Sequence, residues 1–135
     1  MTVTEARATA SLDTANALLV VRDLRKYYPI TKGPFRRVAG QVKAVDGVSF
    51  SIPEGKTLGL VGESGCGKTT TARLIMHAFP PTGGEILFND ETRGWLNIPQ
   101  LRPDELKRMR RNVQMIFQDP YSSLDPRMTL LDIVG

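Results

Sequence analysis

Apolar residues in this chain fall in short runs divided by turn-forming residues, and the spacing within the runs changes along the sequence. Residues 18–21 (LLVV) form a continuous run of strand length. Residues 42–52 set Val45, Val48, Phe50 and Ile52 as apolar points around Asp46-Gly47, which predicts a hairpin or a bent strand in an antiparallel sheet. Pro53-Glu54-Gly55 supplies a turn. Residues 57–61 (TLGLV) and 113–117 (VQMIF) are mostly apolar, the pattern of central strands covered on both faces. Residues 69–78 read as a helix, closed by the break Pro80-Pro81-Thr82-Gly83-Gly84. A strand is expected at 85–88, then irregular chain at 89–100 with Trp95 packed over an edge, then a short helix at 103–111. Leu130, Leu131, Ile133 and Val134 have helical spacing, and no convincing cap follows them. Residues 1–17 are rich in Ala and Thr, lack an apolar core segment, and are read as a disordered tail. No internal repeat is visible.

Between the run at 57–61 and the helix at 69–78 stands Gly62-Glu63-Ser64-Gly65-Cys66-Gly67-Lys68-Thr69, which fits G-x-x-x-x-G-K-[ST]. Strand, loop and helix is the context this phosphate-binding pattern requires. The glycines let the backbone turn its N–H groups inward to make a concave anion site, and the helix N-terminus adds partial positive charge at the same place. Lys68 is a flexible point charge within reach of β- and γ-phosphates, and the Thr69 hydroxyl suits the Mg²⁺ that bridges them. Cys66 is the only cysteine, so no intrachain disulfide is possible and a reducing compartment is the natural reading.

Composition narrows the class. Apolar content of 41% and charged content of 24% are those of an ordinary globular domain, and no stretch approaches the eighteen or so apolar residues of a membrane span. The net charge of +4 sits mostly in Lys32, Arg36 and Arg37 and in the cluster from Lys107 to Arg111. In the second cluster Pro103 opens the helix, Asp104 and Glu105 follow, and the bases come last, an order that complements the helix macrodipole. Nucleic-acid binding is not expected.

After the run at 113–117 comes Gln118-Asp119-Pro120-Tyr121-Ser122-Ser123-Leu124-Asp125-Pro126-Arg127-Met128-Thr129, a polar, turn-rich segment at a strand end, where ligands of parallel α/β sheets gather. Taken with Val45-Asp46-Gly47-Val48-Ser49-Phe50 and the phosphate-binding loop, it makes residues 18 to the end resemble the ATP-binding subunits of ABC transporters, and among them the oligopeptide/dipeptide importer branch. The loop marks any P-loop protein; the segment from Gln114 onward is far more specific. The implied fold is α/β, a P-loop NTPase of the ABC nucleotide-binding type with an antiparallel β-subdomain, incomplete at its C-terminus.

The resemblance implies roles for particular positions. Gly62, Glu63, Ser64, Gly65, Cys66, Gly67, Lys68, Thr69 and Thr70 would hold ATP, with Thr69 and Gln118 on Mg²⁺. Gln118 would also contact water and relay nucleotide state to the membrane subunits. Tyr28 matches the aromatic that stacks on adenine, with Tyr27 as its competitor. A ring on a base contributes roughly 1–3 kcal/mol whatever the base. Residues 30–41 resemble a basic insertion of this branch. Asp125 stands where the branch more often has Asn, and Thr70-Thr71 and Met76-His77-Ala78 depart from the usual Leu- and Gly-rich helix. His77, the only histidine, is not the switch histidine of the family and reads as a surface or packed residue. The implied partners are permease subunits, a second ATP-binding subunit and, indirectly, a solute-binding protein, at the cytoplasmic face of a membrane. The Asp-Glu pair after an apolar run, the LSGGQ signature and the switch histidine are absent from the 135 residues. Hydrolysis by this chain alone is therefore not expected, and a poorly stable, aggregation-prone segment is. Two other readings are a non-catalytic fragment that titrates intact subunits and a soluble P-loop enzyme such as a small-molecule kinase. The segment 113–129 argues against the kinase.

Overall fold

The computed structural model describes residues 16–32 and 37–117. Residues 1–15, 33–36 and 118–135 lie outside the described residues. With them go Gln118, the loop after it, the helical spacing at 130–134 and nearly all of the expected N-terminal tail.

Two long strands dominate: β1 (Ala17–Lys32) and β2 (Arg37–Pro53). They pair antiparallel along their whole length. β3 (Gly83–Asp90) and the short β4 (Gly94–Asn97) complete one four-stranded antiparallel sheet in the order β2-β1-β3-β4. Helix α1 (Lys68–Ile75) follows the glycine-rich loop, and α2 (Pro103–Asn112) follows a 3₁₀ turn at Ile98–Gln100.

Of the two forms open to residues 42–52, the chain takes the bent strand. No hairpin turn forms at Asp46-Gly47. Gly47 instead sits at φ 75° as a bulge in β2, where the partners step from Leu24↔Val48 to Arg25↔Asp46. β1 carries its own bulge at Asp23 (φ 46°), between Val21↔Phe50 and Leu24↔Val48. One extra residue on each strand restores the register, so the apolar face stays inward on both. The Asp23 N–H leaves the ladder there and donates to Ser49 Oγ at 2.8 Å.

The core takes Leu19, Val21 and Leu24 from β1, Val45 from β2, Leu74 from α1, Ile86 and Phe88 from β3, then Ile98 and Met109. α2 begins with Pro103 at its first turn, as expected, and the Glu105 carboxylate accepts from the Arg102 N–H at 3.0 Å to cap it. β4 was not expected. Trp95 lies on it, at the sheet edge, and is exposed.

Two expected central strands are not strands. Residues 57–61 and 113–117 have no ladder partner among the described residues, and Val61 and Ile116 are each 96% exposed. An apolar run becomes a parallel strand only when neighbouring strands satisfy its backbone groups and cover both faces. Here the described strands are committed to the antiparallel sheet. The helix after the loop is also shorter than 69–78: Met76 caps it and His77 turns left-handed at φ 49°. The first strand likewise starts inside the expected tail, since Ala17 is already in β1 and buried.

Candidate functional site

The loop between Val61 and α1 is built from the backbone. Gly67 has φ 98°, a left-handed conformation that side chains other than glycine rarely adopt. A Cβ there would lie 2.5 Å from the Ala44 carbonyl oxygen of β2, so the loop can lie against the strand only with glycine at this position. Gly67 caps α1, and its carbonyl accepts the first helical bond, from Thr71 N–H at 2.8 Å. The N–H groups of Lys68, Thr69 and Thr70 are the helix's first donors and have no backbone acceptor among the described residues. A tight turn, Cys66 N–H to Glu63 O at 3.3 Å, folds the loop back.

These elements enclose an open hollow of about 400 Å³ lined by Ser64, Gly65, Gly67, Lys68, Thr69 and Thr70. Lys68 Nζ donates to the carbonyls of Gly62 and Glu63, both at 2.7 Å, and lies 3.5 Å from Cys66 Sγ. The ammonium is thereby tethered over the loop, within the wall of the hollow. Amides without a backbone acceptor and an ammonium beside one concave space are the kinds of group that a phosphate-sized anion requires. Gly62, Glu63 and Cys66 shape the loop from outside the hollow.

The structure separates the two tyrosines. The Tyr27 hydroxyl donates to Asp46 Oδ1, and Lys43 Nζ bonds the other Asp46 oxygen at 2.9 Å while lying 5.5 Å from the Tyr27 ring centroid. The Tyr27 bond, and secondarily the Lys43 bond, hold the Asp46 carboxyl below the ordinary carboxylate range. The same bond raises the Tyr27 phenol above its usual value. Tyr27 is half-buried and committed to β2. Tyr28 is 42% exposed and its hydroxyl is tied to no described residue. Its ring meets Phe79 edge-on at 6.5 Å, and Lys26 Nζ lies 5.2 Å from the centroids of both rings. Sequence reasoning singled out neither Lys26 nor Phe79. No local signal marks them, because 53 residues of chain separate the two.

His77 is partly buried, its Nδ1 has no partner among the described residues, and its carbonyl accepts from Arg110 at 2.9 Å. Burial, then the nearby Arg110 charge, lowers its pKa. Its carbonyl thus links the chain just after α1 to α2. No three His, Cys, Asp or Glu side chains among the described residues cluster to hold a metal. No helix among them is long and apolar enough to cross a membrane.

A model of one family, described as ABC transporter, matches residues 45–133. The chain belongs to the ABC transporter family. It is 51% identical over 117 residues to the oligopeptide transport ATP-binding protein AppF of Bacillus subtilis, covering 87% of this chain and 34% of that protein. It is 48% identical over 120 residues to the probable peptide ABC transporter ATP-binding protein y4tS of Sinorhizobium fredii (89% and 33%), and 46% identical over 117 residues to the glutathione import ATP-binding protein GsiA of Escherichia coli (87% and 18%). The chain thus spans about a third or less of these ABC relatives. Among solved structures it resembles the dimeric bacterial ABC transporter cassette MJ0796, with a TM-score of 0.62 and 25% identity over 84% of this chain and 44% of that one. A second dimeric structure of that cassette, in a post-hydrolysis state bound to ADP and Pi, matches at 0.56 and 27% over 69% and 35%. The family membership and the ABC-cassette fold agree with the resemblance carried by Val45–Phe50, the loop and the segment after Gln114.

Proposed function

We propose that this chain is the nucleotide-binding part of an ATP-binding subunit that energises ABC-type import of oligopeptides, dipeptides or a related small solute. The observation that carries the proposal is the loop hollow, with its free amides and Lys68, in a chain half identical to an oligopeptide transport ATP-binding protein. Lys68 would leave the Gly62 and Glu63 carbonyls for the β- and γ-phosphates. Two carbonyl bonds exchanged for charge-assisted bonds to a phosphate favour the ligand.

Mg²⁺ fits this donor set. Thr69, which carries a hydroxyl, lines the hollow, and a hard cation that keeps several waters needs only a protein ligand or two besides the phosphate oxygens. Gln118 would supply the second contact and link nucleotide state to the permease. Tyr28 would stack on the base. The partners would be permease subunits, a second ATP-binding subunit facing this one across the nucleotide, and a solute-binding protein acting through the permease. The place of work would be the cytoplasmic face of the membrane. These residues hold no apolar run ending in Asp-Glu, so we further propose that they bind nucleotide without appreciable hydrolysis of their own.

Lys68→Ala tests the proposal. ATP binding measured by calorimetry is expected to fall below detection, with the far-UV circular dichroism of the chain unchanged. ATP affinity equal to that of the parent would refute the phosphate role of the loop.

A further inference from the structure

We infer that Lys26 and Phe79 are positioning residues that hold the Tyr28 ring ready for a nucleobase and so set the affinity for base-bearing over base-free phosphate ligands. The inference rests on the reading of Tyr28 as the base-stacking ring and deepens it.

Three observations converge. Lys26 Nζ is 5.2 Å from the centroid of Tyr28 and 5.2 Å from that of Phe79, within the range where a cation is attracted to a ring face. The same ammonium donates to the Pro80 carbonyl at 2.6 Å, which anchors it to the chain just beyond α1. Phe79 packs against the buried core and meets Tyr28 edge-on, with 65° between the ring planes. An exposed tyrosine is thus met by a core-packed ring and an anchored cation, and no other ring or cation lies against it among the described residues.

The cluster belongs to the same neighbourhood as the phosphate-binding loop. Lys26 pairs with Val45 across the β1–β2 ladder. The Val45 Cγ2 atom lies 3.6 Å from the point a Gly67 Cβ would occupy. Helix α1 starts at the loop, and its end leads directly to Phe79; its eight residues run about 12 Å at 1.5 Å per residue. A nucleotide has its phosphates and its base at opposite ends, separated by the ribose.

The physical consequence is pre-organisation. A lone exposed tyrosine samples several rotamers and loses that freedom when a base stacks on it. A ring already held by Phe79 and Lys26 loses less, so more of the stacking energy appears as affinity. Lys26 acts through Tyr28 and need not touch the ligand.

The test compares ATP with inorganic tripolyphosphate, which carries the charge but no base, by calorimetry on the full chain. Tyr28→Ala is expected to weaken ATP roughly tenfold or more and leave tripolyphosphate unchanged. Lys26→Met, which keeps the aliphatic stem, is expected to weaken ATP about two- to fivefold with tripolyphosphate again unchanged, and Lys26→Arg to restore it. Phe79→Leu should behave as Lys26→Met does. If Tyr28→Ala leaves ATP affinity intact, the stacking reading fails and this inference with it. If Tyr28→Ala weakens ATP but Lys26→Met does not, the positioning inference alone is overturned. Equal losses of ATP and tripolyphosphate in Lys26→Met would overturn it too, because they would mark Lys26 as a phosphate ligand or a support of the fold.

Discussion

At Gly67 two constraints coincide: a left-handed φ and a strand carbonyl where a side chain would begin. Relief of either requires the loop to lift from Ala44, which would reshape the hollow beside it. Gly67→Ala is therefore expected to cost about 1–3 kcal/mol of stability and to weaken ATP binding together with it, read by urea unfolding and calorimetry on one sample. Asp90 is the other residue whose surroundings decide its behaviour. It is 4% exposed and accepts from Thr92 Oγ1 at 2.7 Å, from the Thr92 and Arg93 N–H groups at 3.1 Å each, and from Asn112 Nδ2 at 3.2 Å. It therefore ties the β3–β4 turn to the end of α2. The Thr92 hydroxyl bond, then the Arg93 side chain, lower its pKa to about 2. Its folded-state value lies below the unfolded one of about 3.9, so the unfolded chain binds more protons in between. The stability it contributes is complete above about pH 4 and is lost as pH falls through about 2. Unfolding midpoints collected between pH 5 and 2 should show this decline, and Asp90→Asn should flatten it. A parallel decline in the variant would assign the effect to other groups.

At the scale of elements, some were legible and some were not, for separable reasons. α2 could be read because its start, its charges and its apolar positions lie within ten consecutive residues. Met109 is its fully buried residue, and Met109→Ala is expected to cost about 2–5 kcal/mol in a denaturant titration; a cost below 1 would show that α2 is not part of the cooperative core. β1 was seen only at its apolar beginning. From Arg22 onward it is rich in charge, because an antiparallel ribbon can leave one face in water. Asp46-Gly47 carries the signature of a tight turn, yet it serves as a bulge, because the long pairing with β1 holds β2 extended through it. β4 spans four residues, too few for any period to show.

For the molecule as a whole, the described residues make one antiparallel sheet with a packed core and two apolar segments left without strand partners. Leu58, Leu60 and Val61 in one segment and Ile116 and Phe117 in the other are exposed. Apolar chain with unpaired backbone groups is a template for association. The chain is expected to self-associate as its concentration rises, seen by sedimentation velocity. A Val61→Lys, Ile116→Lys double variant should shift the distribution toward monomer without loss of stability, since both side chains are 96% exposed and bury nothing in the described fold. Association unchanged in that variant, or a sharp, reversible, monomeric unfolding transition of the parent, would count against these segments as the cause.

The sequence by itself determined the glycine-rich loop, its helix and the family, because eight consecutive residues and a few short blocks carry that information locally. It also determined which stretches are apolar. Only the tertiary structure decided what those stretches do: whether residues 57–61 and 113–117 pair, whether Gly47 turns or bulges, and which tyrosine is left open beside Lys26 and Phe79. Each of these depends on groups far apart in the chain that meet only when the sheet forms, and the partner of a backbone amide or an aromatic ring cannot be read from its own neighbours in sequence.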